Sequence, residues 1–321
     1  MAFNRRIRKL LIIFLILGWG LTLTSYFLRT HPPKYLLKSK QLYRDNRLLM
    51  GTIWEVVSPN KQASRIVFSE ASRIEQLLSK YIASSEISQL NRLGKLKVSP
   101  ETFYIIEKSK EFYCYSQGAF DITIAPLVDL WGFSNQNFKV PSDDQIRAAL
   151  KLVGTNKIIL HQKNNMVEFK IPGMRIDLGG IAKGFALDCI VKKLKENKID
   201  TCLINAGGQV YALGDKFGSP WKIAIAGARK SEIAGTLELK NQSASTSGDY
   251  QQYFLTGNKR YCHIINPKTG YPAESGIISV TVTASSGLEA DAFSTAIFVL
   301  GKKESLKLAE KFTNLNIKIT E

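Results

Sequence analysis

The sequence predicts an α+β fold behind an N-terminal segment able to cross a membrane. The run Leu10–Leu28 contains no charged residue, and an uncharged apolar stretch of about 18 or more residues spans a bilayer as a helix. Beyond it, short alternating strands, glycine-rich turns and helices follow one another without an internal repeat. This order lacks the regular strand–helix–strand alternation of a parallel sheet and favours the α+β class.

The N-terminus is basic as well as apolar. Four Lys or Arg residues and no acidic residue precede the apolar run, and such cations remain on the cytoplasmic side of a membrane. We therefore expect an anchor over 1–30, a basic spacer over 31–46 and a globular domain over 47–321, with the globular domain outside the cytoplasm. A cleaved secretory signal, with a poor cleavage site at Thr22–Ser25, is the alternative, and it also exports the globular domain.

Charge and cysteine content exclude two classes of protein. The formal net charge of the 321-residue chain is +17, and eight of its cations lie in the first 40 residues. No Lys/Arg patch or known module follows, so nucleic-acid binding is not expected. The four cysteines, Cys114, Cys189, Cys202 and Cys262, form no C-x-x-C pair, which argues against a zinc site and leaves a disulfide open.

Local patterns predict the individual elements of the globular domain. In chain order we expect a strand over 48–58, a helix over 61–82, a helix that begins at Pro100 after the cap residue Ser99, a short helix that begins with a capping box at Ser142 and ends at Gly154, a hairpin over 157–171 that turns at 163–165, and helices near 182–195 and 288–300.

Two carboxylates interrupt the apolar segment Gly118–Phe133. Asp121 and Asp129 stand among hydrophobic residues, where an unpaired carboxylate is costly to bury. The segment therefore indicates either a ligand site or, for Asp121, a turn cap.

A glycine-rich turn leads into the helix near residue 182. The segment Ile176–Phe185 places two glycines in tandem before a lysine. Bare backbone at a helix N-terminus favours phosphate. The spacing matches neither G-x-x-x-x-G-K-[ST] nor G-x-G-x-x-G. An anion site and a plain tight turn both remain open on this pattern alone.

Polar residues also cluster in the segments Ser245–Tyr250 and Arg260–Pro272. The first offers hydroxyls and bare amides, and the second places His263 on a short strand before an Asn-Pro turn. A lone strand histidine is often a satisfied core residue, which is the alternative to a catalytic role. His31 and His161 lack such surroundings and receive no function.

A polar stripe crosses the apolar helix near residues 288–300. Asp291, Ser294 and Thr295 stand at i, i+3 and i+4 and share one helix face. A carboxylate beside two hydroxyls suits Mg²⁺, which takes oxygen ligands. The alternative is an exposed polar face, which the apolar neighbours oppose.

Five segments in this order resemble the FAD:protein FMN transferase (ApbE-like) family, from about Met50 to Gly301. They read DLGGIAKGFALD, NAGG, TSGDY, HIINPKTGYP and ADAFSTA. The resemblance implies an ApbE-like, T-fold-related α+β fold of mixed sheets with packed helices, preceded here by the N-terminal transmembrane helix.

The resemblance also implies a set of site residues. An FAD site would comprise Met50, Tyr81, Ala119, Phe120, Asp121, Asp177, Lys183, Asn205, Gly207, Gly208, Thr246, Ser247, Gly248 and His263. The Mg²⁺ position would comprise the Gly180 carbonyl, Asp291, Ser294 and Thr295, and the catalytic groups would be the general base His263 and the cation Lys183. The family usually has Asp where this chain has Asn266, which removes a charge near the histidine.

The activity implied by the resemblance is transfer of FMN from FAD to a Thr or Ser hydroxyl, with Mg²⁺ as cofactor and AMP as product. His263 would act near its unperturbed pKa. Acceptors would be flavoprotein subunits of membrane electron-transport complexes, and the enzyme would lie on the extracytoplasmic side of a bacterial inner membrane. An Mg²⁺-dependent FAD hydrolase and a non-catalytic FAD carrier are the alternatives.

Overall fold

The computed structural model describes residues 41–227 and 233–321. The predicted membrane anchor and residues 31–40 of the predicted spacer lie outside the described residues. Within those two ranges, no helix has the length and apolar character needed to cross a membrane. The first strand begins at Tyr43, inside the segment that the sequence analysis assigns to the spacer.

Strands and helices are interleaved along the described chain. The strands are β1 (Tyr43–Leu49), β2 (Thr52–Ser58), β3 (Lys95–Lys97), β4 (Ile158–His161), β5 (Met166–Phe169), β6 (Cys202–Ala206), β7 (Gln209–Leu213), β8 (Trp221–Ala226), β9 (Ile233–Leu239), β10 (Gln242–Gly248), β11 (Tyr253–Thr256), β12 (Lys259–Cys262), β13 (Ser279–Ala284) and β14 (Asn316–Thr320). The helices are α1 (Gln62–Leu78), α2 (Glu86–Leu93), α3 (Pro100–Tyr115), α4 (Ala125–Leu130), α5 (Asp143–Leu150), α6 (Ala182–Glu196) and α7 (Gly287–Ala309).

A seven-stranded sheet in the order β1-β2-β6-β7-β10-β13-β14 forms the centre of this part of the chain. A three-stranded sheet has the order β3-β5-β4, and β8–β9 and β11–β12 form two-stranded ribbons. The pairings in these sheets are antiparallel. The α+β prediction is confirmed, and the sheets are antiparallel rather than mixed in strand direction.

Helices α6 and α7 cross at very short range beside the central sheet. A Cβ placed on Gly184 would lie 2.2 Å from the carbonyl oxygen of Gly287. Only glycine permits this approach, because a methyl group would overlap the facing backbone. The crossing brings the N-terminal turns of both helices together, next to the strand β10.

Most local predictions are confirmed. The side chain of Ser99 caps α3, and Ser142 and Gln145 form the capping box of α5. The predicted single strand over 48–58 is wrong: Met50 and Gly51 adopt positive φ values of 48° and 73°, which turn the chain into the β1–β2 hairpin. Helix α7 continues beyond its predicted end through a kink at Gly301.

A second, smaller core lies under the β11–β12 ribbon. The rings of Phe254 and Tyr261 stack at 5.1 Å, and Phe138 stacks on Phe254 at 5.3 Å. The indole Nε1 of Trp131 donates to the carbonyl of Gly270 at 2.8 Å. These contacts fix the ribbon, and the chain leaves it directly at His263.

Candidate active site

A cavity of 680 Å³ collects most of the residues that the sequence analysis singled out. Its wall includes the predicted site residues Met50, Tyr81, Ala119, Phe120, Asp121, Asp177, Gly180, Lys183, Gly207, Thr246, Ser247, His263, Asp291 and Thr295. They come from the β1–β2 and β6–β7 turns, the loops after α1 and α3, the first turn of α6 and the turn before it, the strand β10, the residue after β12 and the helix α7. Segments far apart in the chain therefore converge on one site.

Four predicted site residues lie behind the cavity wall or beside it: Asn205, Gly208, Gly248 and Ser294. The Oδ1 atom of Asn205 accepts a hydrogen bond from the Gly208 N–H at 2.9 Å and shapes the turn between β6 and β7. The Oγ atom of Ser294 is buried, donates to the main-chain oxygen of Asp291 at 2.9 Å and contacts Ser247. The positions of Asn205 and Ser294 support the wall rather than face the cavity.

His263 is held by the base of the β11–β12 ribbon. Its Nδ1 lies 3.1 Å from the carbonyl oxygen of Gln252. A carbonyl oxygen only accepts hydrogen bonds, so Nδ1 carries the proton and Nε2 of the neutral ring is an acceptor. Burial, assisted by the charge of Lys183, lowers the pKa of His263 to about 4. The expectation of an ordinary pKa for this histidine is wrong, because the ring is desolvated in the wall.

Asn266 serves the turn rather than the histidine ring. Its Oδ1 accepts from the Lys268 N–H at 2.9 Å, and its main-chain groups pair with Tyr271 and Gly270. The ring of His263 is oriented by the main-chain carbonyl of Gln252. Having Asn rather than Asp at position 266 therefore leaves that hydrogen bond unchanged.

Asp291 and Thr295 form an oxygen-rich corner of the cavity. The carboxylate of Asp291 is 5% exposed and accepts from the Gly184 N–H at 3.0 Å. Burial raises its pKa, while Lys183 opposes that rise. A Cβ on Gly180 would lie 3.2 Å from the Thr295 hydroxyl, so the bare Gly180 backbone reaches the same corner. A buried carboxylate, a hydroxyl and an open backbone carbonyl are a donor set that fits Mg²⁺.

Asp121 is saturated by neighbouring groups. Its Oδ1 accepts from the Thr123 N–H at 2.7 Å and from the Thr155 hydroxyl at 2.7 Å, and its Oδ2 accepts from the Thr155 N–H at 3.2 Å. Burial nevertheless raises its pKa. Its side chain caps the 3-10 turn Ile122–Ile124, as the turn-cap alternative predicts. It also borders the cavity.

Lys80 is the main feature of the wall that sequence reasoning missed. Its Nζ lies 2.8 Å from Asp177 Oδ2 and donates to Ser134 Oγ at 2.8 Å. Burial, the largest single influence, lowers the pKa of Lys80, but the ion pair with Asp177 and the nearby Tyr81 and Asp129 together outweigh burial, so the pKa is raised. Nζ also lies 5.1 Å from the centre of the Tyr81 ring, whose residue is 68% exposed. The sequence around Lys80 does not indicate a site residue, because its acidic partners Asp129 and Asp177 lie far from it along the chain.

One other group of ligand-type side chains occurs among the described residues, at Glu70, Glu101 and Cys189. Glu70 is ion-paired with Arg73 at 2.7 Å and with Lys193 at 2.5 Å. These cations already neutralise the carboxylate, so the group is an ion-pair network on the faces of α1, α3 and α6.

The fold and the cavity define an α+β enzyme whose site combines a neutral histidine, a lysine and an oxygen-rich corner. Residues 50–319 match the family model described as the ApbE family. The chain is 32% identical to the FAD:protein FMN transferase of Klebsiella pneumoniae (strain 342) over 272 residues, which cover 83% of this chain and 84% of that protein. It is 34% identical to the protein of the same name from Haemophilus influenzae, over 73% of this chain and 71% of that protein.

Solved structures agree with these sequence relationships. The ApbE protein of Thermotoga maritima superposes with a TM-score of 0.81 at 34% identity, covering 87% of this chain and 94% of that one. The flavin transferase ApbE from Vibrio cholerae gives a TM-score of 0.78 at 26% identity, covering 87% and 93%. The chain belongs to the ApbE family.

Proposed function

We propose that this protein is an FAD:protein FMN transferase that moves FMN from FAD to a Thr or Ser hydroxyl of another protein and releases AMP. One observation carries the proposal: the neutral His263, fixed through Nδ1, lines the same cavity as the buried carboxylate of Asp291 and the cation Lys183. Phosphoryl transfer requires a base for the attacking hydroxyl, a cation for the phosphates and a site for a metal ion. His263, Lys183 and Asp291 are proposed for these three roles.

The chemistry that the chain's own residues supply begins with the acceptor hydroxyl. Nε2 of His263 takes its proton as the oxygen bonds to the FMN phosphorus, and the bond from that phosphorus to the AMP oxygen breaks. AMP leaves with the bridging oxygen. Lys183, whose Nζ lies 3.4 Å from the Gly179 carbonyl, stabilises the negative charge of the pyrophosphate as a point charge. The low pKa of His263 keeps the ring neutral and able to accept the proton.

Asp291, Thr295 and the Gly180 carbonyl are the residues proposed to hold Mg²⁺. A bound Mg²⁺ offsets charge on the transferred and departing phosphates. The buried Asp291 carboxylate, whose pKa is raised by desolvation, supports this assignment because a bound cation compensates the cost of burying it. Ser294 supports the corner from behind through its bond to the Asp291 backbone.

The proposed flavin end of the cavity is the Tyr81 side. Tyr81 offers an exposed ring, which Lys80 contacts from one side. The proposed setting is the extracytoplasmic face of a bacterial inner membrane, with the acceptors among the flavoprotein subunits of membrane electron-transport complexes. The basic, apolar N-terminus supports that setting.

An assay of AMP release tests the proposal against FAD hydrolysis. The protein is incubated with FAD and Mg²⁺, with and without an acceptor domain, and AMP and free FMN are separated by chromatography. A transferase forms AMP only with acceptor and without an equal amount of free FMN. Equal AMP and FMN without acceptor would identify a hydrolase, and the absence of both would leave a flavin carrier.

A further inference from the structure

The carboxamide of Gln209, at the start of β7, reaches the cavity from the sheet side. Gln209 is 2% exposed. Its Nε2 donates to the Gly287 carbonyl oxygen at 3.0 Å. The reversed amide orientation would set two oxygens against each other, so this bond fixes which atom is Oε1. Oε1 has no hydrogen-bond partner among the described protein groups.

The contacts around Gly287 connect this amide to the cation corner. The Gly287 carbonyl oxygen that holds Nε2 is the atom that packs against Gly184. The Gly184 N–H in turn donates to Asp291 Oδ2. Ser245, which lines the same cavity, lies 3.5 Å from Asp291 Oδ1 through its hydroxyl. Gln209 and Asp291 are thus connected by two hydrogen bonds that meet at the packing contact between Gly287 and Gly184.

The chemistry of Oε1 restricts what it binds. The atom is an acceptor only, and a buried acceptor without a partner is unfavourable. Its partner in the loaded site must be a donor. The same cavity is lined by the carboxylate of Asp291 and the hydroxyl of Thr295, which suit Mg²⁺. The fitting donor is therefore a water molecule of the ion, since Mg²⁺ retains several waters when bound to protein. We propose that Gln209 is a positioning residue of the cation site, whose Oε1 accepts a hydrogen bond from a cation-bound water. The inference rests on the proposed function only in its assignment of the cation corner.

Mn²⁺ affinity measures this role directly and without turnover. The full-length protein is titrated with Mn²⁺ alone, and free Mn²⁺ is followed by electron paramagnetic resonance. For Gln209→Leu we expect a dissociation constant about 10-fold higher, as is typical when a partner of a metal's ligand shell is removed. Gln209→Glu retains an acceptor at the same reach, so it binds Mn²⁺ more tightly than Gln209→Leu.

Ser243→Ala is the matched control. The Ser243 hydroxyl is buried on the neighbouring strand β10 and donates to the Val210 carbonyl at 2.8 Å, and Ser243 does not line the cavity. Its loss removes a comparable side-chain to main-chain bond from the same sheet, and the Mn²⁺ affinity stays at the wild-type value. A decrease as large as that of Gln209→Leu would mean that Gln209 acts only through the sheet, and would overturn the proposal.

Three further outcomes separate the possibilities. An unchanged Mn²⁺ affinity in Gln209→Leu overturns the inference and leaves the proposed activity intact. An unchanged Mn²⁺ affinity combined with weaker FAD binding assigns Oε1 to a nucleotide donor and also overturns it. If the wild type and Asp291→Ala bind Mn²⁺ equally, the cation corner itself is wrong, and the inference fails with it.

Discussion

The main-chain carbonyl of Gln252 accepts two hydrogen bonds from His263, one from the backbone N–H at 3.0 Å and one from Nδ1 at 3.1 Å. One oxygen therefore fixes both the backbone position and the ring orientation of the histidine. Gln252 directly precedes β11, whose Phe254 ring stacks on Tyr261 of β12. The proposed base is thus oriented without a carboxylate partner among the described contacts.

The pH dependence of transfer follows from the lowered pKa of His263. Burial lowers this pKa to about 4, and the ring is active only when neutral. The value of kcat/KM for FAD should therefore stay level from neutral pH down past the ordinary histidine range near ~6.5 and halve only at lower pH. A pH–rate profile with a half-maximal point near 6.5 would contradict the desolvated ring.

Replacing His263 separates binding from chemistry. His263→Ala removes the base but no described contact to Lys80 or Asp177, so FAD affinity by fluorescence titration should change little. Transfer should fall by about 10²- to 10⁴-fold, the usual contribution of a general base. His161→Ala is the control. His161 is exposed, and the one ion pair described for it joins its Nε2 to Glu168 at 3.4 Å. Loss of FAD binding in His263→Ala would make the histidine structural.

Asp291→Asn should separate metal-dependent activity from stability. Because the pKa of Asp291 is raised in the folded protein, the folded protein binds a proton here more tightly than the unfolded chain does. This residue therefore makes stability fall as pH rises above its unfolded pKa. The metal-free variant should be at least as stable as the wild type at neutral pH, while Mg²⁺-dependent AMP release is lost. Thermal denaturation in a chelator and the AMP assay measure both, and retained Mg²⁺ dependence would refute the assignment.

Lys80→Met should weaken FAD binding and the fold together. The variant leaves the carboxylate of Asp177 without its cation at 2.8 Å. We expect about 1–3 kcal/mol less stability, which is below the full cost of a broken buried pair because the lysine remains partly accessible. Fluorescence titration with FAD should show weaker binding, and Lys80→Arg should recover part of it.

Lys95→Met is the control for the Lys80 variant. Lys95 pairs with Glu168 at 2.7 Å on the surface, where an ion pair contributes only about 0–1 kcal/mol. Equal losses in the two variants would mean that Lys80 acts as an ordinary surface charge.

Gly184→Ala should disturb the crossing of α6 and α7. The added methyl carbon would lie 2.2 Å from the Gly287 carbonyl oxygen. Overpacking of this kind costs about 1–3 kcal/mol of the free energy of unfolding. Chemical denaturation measures it, and Lys192→Ala, on an exposed position of α6, is the control. An unchanged stability would show that the two helices separate freely at this point.

The parts of the site that the sequence predicted are those with a local signal. Asp291 and Thr295 share a helix face at i and i+4, and periodicity alone places them together. Ser142 and Ser99 carry the capping signature of their helices. The convergence of His263 with Asp291 came only from the family resemblance, since no local pattern relates two segments on different elements.

The features that sequence reasoning missed depend on distant or main-chain contacts. Gln252 orients His263 through its carbonyl, which every residue type possesses, so its identity carries no signal. From its sequence neighbours, Lys80 is expected to be a solvent-exposed charge. Its partner Asp177 comes close only in the folded protein. Met50 takes a positive φ of 48°, which is rare for a residue of its type. The sequence pattern therefore predicts one strand where the structure has the β1–β2 hairpin.

The most direct test of the proposed activity is the mass of the acceptor protein. The protein is incubated with FAD, Mg²⁺ and an acceptor domain, and the acceptor is examined by intact-mass spectrometry followed by peptide mapping. The account predicts one added FMN on a Thr or Ser, equimolar AMP, and formation of both products about 10²- to 10⁴-fold slower with His263→Ala. An acceptor of unchanged mass beside free FMN and AMP would contradict the transferase and establish FAD hydrolysis instead.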